Sequence, residues 1–456
     1  MAAVPQEAEV GIPAFDKAAE KIETLIDSNV PLAQTQLKRF EKQFQQLSLK
    51  QKITYQNLLT DTYLLQAQYH LAKQSASDGL ALTLQLSSPS LLISELLYSR
   101  GFAYESIGET ELATKDYENG LELAKSLHDN VLIATGLANL GAIYYLTDRY
   151  ENSLIVLNDA YNIAKQTDDD ELKGMVNSEL GILYVYLNQS EQAMVYYHQA
   201  YQHYKKAKKT NSSLSALVNI GMNHLYEKEY EQAISIYKTI IKESEGVALN
   251  QLMYSTYSGL SWANLKKENP NHEASYQYLL LSKQYMEGIE QYDIKLQYYT
   301  DEAFVLYELE HYQEALESMS KVESILAQYM PLSQLKMYTR INIINLKSKT
   351  FHKLGRYQQA YELQAQRLSL TQLLREKKHT QSIAEVRLAL EAKQADLHKQ
   401  VLKNKQTLQE VSLQEAEQKK SQQKRYLFLI AIVALIFAWL LAKLVQGQRR
   451  LYKASS

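Results

Sequence analysis

The sequence contains no cysteine, which removes disulfides, thiolate nucleophiles and sulfur-ligated zinc or iron–sulfur centres from consideration. Proline is nearly as scarce: Pro5, Pro13, Pro31, Pro89, Pro270 and Pro331 are the only six, and 90–269 has none. A proline inside a helix costs about 3 kcal/mol, so a long proline-free stretch rich in Ala, Leu, Glu, Lys and Gln reads as helix. No segment sustains the two-residue apolar alternation of a half-buried strand, so essentially no sheet is expected. The phosphate-cradling G-x-x-x-x-G-K-S/T, the dinucleotide G-x-G-x-x-G, the zinc-binding H-E-x-x-H and the nucleophile elbow G-x-S-x-G are all missing. His198 and His203 stand five apart, off a common helical face for a metal. Asp168-Asp169-Asp170-Glu171 lacks the ligand alternation and glycine of a calcium loop and reads as a helix-capping segment. Lys205, Lys206, Lys208 and Lys209 read as a solvated segment between hairpins. No catalytic residue, metal site or cofactor is expected of this chain.

What is present is a repeat. Gly101, Gly141, Gly181 and Gly221 are spaced by 40 residues each. Three residues after each stands Tyr104, Tyr144, Tyr184 or His224. Twelve after comes a small residue, Ala113, Ser153, Ala193 or Ala233, and sixteen after comes Tyr117, Leu157, Tyr197 or Tyr237. Four classes of position recurring in one frame define an array of helical hairpins. The glycine permits close approach of two helices, and the large residue fills the adjacent space. A tyrosine-led turn recurs at Tyr230-Glu231-Gln232-Ala233, Tyr312-Gln313-Glu314-Ala315 and Tyr357-Gln358-Gln359-Ala360.

On these residues, and most clearly in NLGAIYYLTDRYENS at 139–153 and ELGILYVYLNQSEQA at 179–193, the chain resembles the tetratricopeptide repeat family. The resemblance is strong over 94–245. It continues more loosely through Ala274, Ala315 and Ala360, and backwards to Tyr63 and Ala72. The usual period of that family is 34 residues, so about six extra residues per hairpin must enter as longer helices or longer loops. Ser261 replaces the glycine in the hairpin around 255–285, where Asn269-Pro270-Asn271 lengthens the turn and a local kink is expected. The resemblance implies an all-α solenoid of about seven hairpins over 51–370, with an N-terminal helical cap over 1–50. It further implies a concave groove that binds a protein or peptide. Tyr98 and Phe102, then Asn139, Ala142 and Tyr145, then Ile182 and Tyr186, then Asn219, Met222 and Tyr226 are expected to line it. Asn139 and Asn219 can donate to and accept from a ligand backbone, or else cap and bridge neighbouring helices. Most of the 35 tyrosines are expected in hairpin cores.

Beyond about Leu374 the texture changes. Residues 371–456 carry 16 Lys/Arg against 7 Asp/Glu, or +9, which against the overall −2 leaves −11 for the remainder. Such a distribution disfavours nucleic acid and suits a neighbouring anionic surface. Ile383, Val386 and Leu390 fit one run of heptads, and Leu397, Val401, Leu408 and Val411 fit a second with Asn404 at a core position. A polar core Asn fixes register and a two-stranded state, so 371–425 is expected to be a dimeric coiled coil, with a solvated connector helix as the alternative. Leu427 to Ala442 is uncharged, and with Tyr426, Leu444 and Val445 the apolar run covers 426–445. About 20 such residues match roughly 30 Å of hydrocarbon, so a transmembrane helix is expected.

Flanking charges give no orientation, with Lys419, Lys420, Lys424 and Arg425 on one side and Lys443, Arg449, Arg450 and Lys453 on the other. Ala2-Ala3-Val4-Pro5 looks like the start of a mature exported chain, which favours a periplasmic array on the bacterial inner membrane; a tail-anchored cytoplasmic array is the alternative. The order of repeats, charged helix, span and short basic segment over 446–456 resembles bacterial transmembrane signalling proteins. Their output would be a diguanylate cyclase of the GGDEF family or, next, a histidine kinase. The cyclase motif itself is absent, so no catalytic residue is carried over. The expected function is a sensory, protein-binding module relaying through a homodimer to such an output, and the rival is a passive repeat scaffold.

Overall fold

The computed structural model describes residues 11–244, 249–328 and 334–377, with Lys420, Ala438, Trp439, Leu441 and Lys443. Residues up to Leu374 form one compact unit, and Arg375–Ser456 form a second that contains few described residues. The heptad positions Ile383, Leu390, Leu397, Val401, Asn404, Leu408 and Val411 lie outside the described residues.

Among the described residues the secondary structure is helical throughout. Helices α1 (Pro13–Ser28) and α2 (Val30–Lys38) and a 3-10 turn (Glu41–Gln46) lead into the array. Hairpins then follow in order: α3 (Leu49–Leu65) with α4 (Tyr69–Thr83), α5 (Leu91–Ser106) with α6 (Thr110–Ser126), and α7 (Asn130–Leu146) with α8 (Tyr150–Lys165). Next come α9 (Asp170–Tyr186) with α10 (Ser190–Lys206), α11 (Thr210–Tyr226) with α12 (Tyr230–Glu243), and α13 (Asn250–Lys266) with α14 (His272–Met286). The last two are α15 (Tyr292–Glu308) with α16 (Tyr312–Gln328), and α17 (Gln334–Lys353) with a helix α18 over 357–377.

The 40-residue period is two units of twenty. Helix after helix ends on a residue in the left-handed region: Gly108, His128, Asp148, Asn188, Lys208 and Lys228, with φ between 58° and 85°. The chain then reverses so that the next N–H reaches back a full turn, as Arg149 N does to Tyr144 O at 2.8 Å and Gln189 N to Tyr184 O at 2.8 Å. These bonds satisfy carbonyls that a helix end otherwise leaves orphaned. Turns this short leave the extra residues in the helices, most of which run 16 or 17 residues. The insertion at Asn269-Pro270-Asn271 is absorbed in the α13–α14 turn, where Asn271 accepts from Ala274 N at 2.9 Å.

Within each hairpin the sequence frame is a packing frame. An added Cβ on Gly181 would stand 2.5 Å from the Tyr197 ring, one on Gly101 2.5 Å from Tyr117, and one on Gly141 2.6 Å from Leu157. Tyr117, Leu157 and Tyr237 are fully buried. Between hairpins, the odd-numbered helices approach one another directly (α3 to α5, α5 to α7, α7 to α9, α11 to α13, α13 to α15, α15 to α17). The elements on the inside of a curve are those that crowd, so the odd helices form the concave face.

One expectation is corrected. Among the described residues no helix is long and apolar enough to cross a membrane. The most apolar described helix, α7, has 17 residues, about 25 Å at 1.5 Å per residue and short of roughly 30 Å of hydrocarbon. Its apolar surface is spent on α5, α6, α8 and α9. The predicted transmembrane helix over 426–445 lies outside the described residues except for Ala438, Trp439, Leu441 and Lys443. Neither that span nor the inner-membrane placement that followed from it is retained.

Candidate functional site

The concave face is built by repetition. Residues 40 apart on successive odd helices occupy equivalent places, so Phe102, Ala142, Ile182 and Met222 form one row and Leu146, Tyr186 and Tyr226 another. Phe102 is 43% exposed, Tyr186 39%, and Met222 and Tyr226 55% each. Large apolar side chains left open at equivalent places on neighbouring helices form a surface rather than scattered exposures. The structure positions some of them. Tyr186 stacks on Tyr145, ring centroids 5.1 Å apart. Phe102 meets Tyr69 edge-on at 6.3 Å. The Tyr226 hydroxyl donates to the Asn188 amide oxygen.

Other expected groove residues are placed differently. Tyr98 is buried in the hairpin core, its hydroxyl donating to Leu132 O at 2.9 Å and its ring filling the space over Gly120 and Gly136. Tyr145 is also buried, but its hydroxyl donates to Glu179 Oε2 at 2.7 Å. Asn139 and Asn219 are half-buried on α7 and α11. With Ser99 and Glu179 they form a polar row at 40-residue spacing.

Carboxylates are the feature that the sequence reading missed. Glu105 on α5 accepts from the Tyr117 hydroxyl at 2.8 Å, and Glu179 on α9 accepts from Tyr145. Asp61 on α3 accepts from Ser99 at 3.4 Å, and Glu95 on α5 accepts from Asn57 Nδ2 at 3.1 Å. All four keep partial access to solvent, and among the described residues none forms an ion pair with Lys, Arg or His. Burial disfavours their charged forms and pushes Glu105 up to about 8 and Glu179 and Asp61 up to about 7. Burial also raises Glu95, with Glu23 adding repulsion. Glu179 adds to the rise at Glu105, and Lys209 opposes the shift at Asp61 only weakly. Other acids have cations, as Asp116 takes Arg100 at 2.6 Å and Asp170 takes Lys206 at 2.7 Å and His203 at 2.9 Å, whereas buried Asp301 on α15 accepts only from Ser258 at 3.1 Å and Gln297 Nε2 at 2.8 Å. A lone acid in an amphipathic helix reads as a solvated residue. The available signal was Glu179 standing 40 residues from both Asn139 and Asn219.

The segment over 205–209 is largely exposed, as expected, and forms surface ion pairs. Lys206 binds Asp170 at 2.7 Å within the α9–α10 hairpin, while Lys209 to Glu171 at 2.8 Å and Lys205 to Glu243 at 3.6 Å link neighbouring hairpins. Among the described residues no group of three or more His, Asp or Glu is placed to hold a metal ion.

These features define a tetratricopeptide-like helical repeat with an aromatic and acidic inner face. Comparison with known proteins agrees on the class. Residues 92–166 and 132–206 match the tetratricopeptide repeat family. A Rap protein solved in complex with Competence and Sporulation Factor is similar at 15% identity and a TM-score of 0.54, over 80% of this chain and 99% of that one. A signal transduction ATPase with numerous domains and a tetratricopeptide repeat sensor, from Pyrococcus horikoshii, is similar at 15% identity and a TM-score of 0.50, over 82% of this chain and 55% of that one. NprR in complex with its cognate peptide NprX gives 18% identity and a TM-score of 0.47, over 60% of this chain and 80% of that one. No curated protein matches the sequence.

Proposed function

We propose that this chain is a protein-binding, sensory repeat module whose inner face holds an extended partner segment bearing basic side chains. The observation that carries the proposal is the juxtaposition of two features on the odd helices. Phe102, Tyr186, Met222 and Tyr226 are open apolar surface, and Asp61, Glu95, Glu105 and Glu179 are carboxylates that form no ion pair among the described residues. A lysine or arginine placed among them would supply the missing charge in a setting of reduced dielectric, where a charge-assisted hydrogen bond is strong. Tyrosine faces nearby would take the aliphatic stem and the cation. Asn139 and Asn219 would fix the segment's backbone. A fold likeness to a Rap protein solved with Competence and Sporulation Factor, and to a repeat sensor, suits such a role. The cyclase or kinase output expected by resemblance has no counterpart in these comparisons and is not part of the proposal. Self-association through Ile383–Val411 stands on its heptads alone, and disulfide crosslinking of Leu397→Cys and Val401→Cys tests it.

Fluorescence anisotropy with two labelled twelve-residue peptides, one alternating lysine and leucine and the other glutamate and leucine, tests the binding proposal. The lysine peptide is expected to bind and the glutamate peptide is not. Tyr186→Ala with Tyr226→Ala, or Glu105→Gln with Glu179→Gln, should each weaken binding about tenfold or more. Equal binding of both peptides, or no effect of either pair of substitutions, would refute the inner face as the site.

A further inference from the structure

In a helical solenoid each repeat touches only its neighbours. This array departs from that rule at a seam where its beginning meets α11–α15. The main backbone approach across the seam is α1 to α11. Val30, at the start of α2, is buried in the core cluster that contains Leu214 and Leu217 of α11. Ala67 and Tyr69, at the α3–α4 turn, are buried in the cluster that contains Tyr254 of α13 and Tyr298 of α15. The Tyr69 hydroxyl donates to Gln251 Oε1 at 3.1 Å.

Two contacts in this seam are of one kind. The Thr210 N–H, first in α11, donates to Asp27 Oδ2 at 2.6 Å. The His70 N–H, in the first turn of α4, donates to Glu290 Oε2 at 3.0 Å. A helix start leaves N–H groups unpaired and carries partial positive charge, so a carboxylate there stabilises it. Normally the residue just before the helix provides this cap. Asp129 does so for α7, accepting from Leu132 N at 2.9 Å, and Asp169 for α9, accepting from Leu172 N at 2.9 Å. At the equivalent place before α11 the sequence has Lys209, and neither it nor Gln68 before α4 caps through its side chain. The missing caps come from across the seam. Asp27 lies on α1 and Glu290 in the α14–α15 connection, and each serves the opposite side.

We propose that the seam is a gate on the inner face, with α1–α4 closing against α11–α15 and Asp27 and Glu290 acting as its two reciprocal catches. Its role in admitting a partner rests on the reading of the inner face given above, whereas the gate itself stands on the seam. A helix that depends on a distant residue for its cap frays when that residue leaves. Two caps sharing one opening motion therefore respond together, although they lie on different helices. The sequence separation, 183 residues for one contact and 220 for the other, ties the N-terminal helices to the far side of the array.

Hydrogen exchange on the full chain without any partner tests the gate. Asp27→Ala should raise exchange in the first turn of α11 by about fivefold, the usual effect of losing a cap, and should raise it in the first turn of α4 as well. Glu290→Ala, or Glu290→Gln if the alanine variant fails to fold, should do the converse. Asp27→Asn keeps an acceptor and should restore both. Asp169→Ala, which removes a local cap, should affect α9 alone. The chain has no native cysteine, so spin labels at Thr35→Cys on α2 and Lys242→Cys on α12 report the gate directly and should move apart when both catches are removed. If each substitution loosens only the helix that it caps, and the labels stay put, the seam is a fixed joint and the gate is refuted. Because no partner is present, this result is independent of whether the lysine peptide binds.

Discussion

The middle of the array and its C-terminal part solve the same packing problem with different residues. In the hairpins from α5 to α12 a glycine faces a large side chain: Gly101 and Tyr117, Gly141 and Leu157, Gly181 and Tyr197, Gly221 and Tyr237. From α13 onward the corresponding first-helix residue has a Cβ. Ser261 accompanies Ser275, the two hydroxyls 3.1 Å apart, and Leu279 is buried beside them. Ala303 accompanies Ala315 and Met319, all fully buried. Ser348 donates to Ala360 O at 2.8 Å and accepts from Gln364 Nε2 at 2.9 Å. The lesson is that the two positions are coupled by volume. A flat tyrosine ring lies against a bare backbone, and a narrower or flexible side chain leaves room for a methyl or a hydroxyl.

The strongest way to break this comparison is to move one member of a pair without the other. Gly181→Ala places a Cβ against an enclosed ring and should cost about 1–3 kcal/mol by overpacking. Adding Tyr197→Met, after the pattern of Ala303 and Met319, should recover most of that loss in urea melts. Failure of the second change to rescue the first would show that the positions are not coupled.

The next effect compares paired with unpaired acids. Glu105 and Glu179 have folded-state values raised above the ordinary 4.5 by burial, to about 8 and about 7. The folded state therefore binds protons more tightly than the unfolded state between those values. Stability falls as pH climbs from about 4.5 to about 8 and levels off above, a loss on the order of 1–2 kcal/mol after allowance for solvent screening. Glu105→Gln with Glu179→Gln should flatten this slope and stabilise the protein at pH 8.5, whereas Asp116→Asn, which breaks the ion pair with Arg100, should destabilise it. Thermal melts from pH 5 to pH 8.5 measure it. A basic partner should reverse the trend and bind more tightly at pH 8.5 than at pH 6, since its charge favours the ionised carboxylates.

A smaller effect sharpens the comparison of turns. Lys228 adopts φ 63° and Gly108 adopts φ 85° at equivalent helix ends. Lys228→Gly should stabilise by about 0.5–1 kcal/mol, because only glycine takes this conformation without strain. Gly108→Lys should destabilise by a similar amount.

These turns also show why the fold was only partly legible. The hairpin frame could be read because glycine, small and large residues recur every 40 positions. The twenty-residue unit inside it could not, because His128, Asp148, Asn188, Lys208 and Lys228 share a conformation but no chemistry. Phe102, Tyr186 and Tyr226 are exposed at repeat-equivalent helix positions that the frame singles out. Tyr98 was placed in the groove by the same reasoning, yet its ring is needed over Gly120 and Gly136. The carboxylates were hidden because isolation from cations is a property of three-dimensional surroundings. The seam was hidden for the same reason: nothing near Lys209 in sequence points to Asp27.

Site-directed photocrosslinking tests the central claim most directly. A photoreactive phenylalanine analogue at position 186, on the inner face, is compared with one in place of Ile155, an exposed residue of α8, each mixed with the lysine–leucine peptide. The account predicts a crosslink from 186 that excess unlabelled peptide competes away and that Glu105→Gln with Glu179→Gln diminishes, and none from 155. Crosslinking from 155 as strong as from 186, or a 186 crosslink indifferent to those carboxylates, would contradict it.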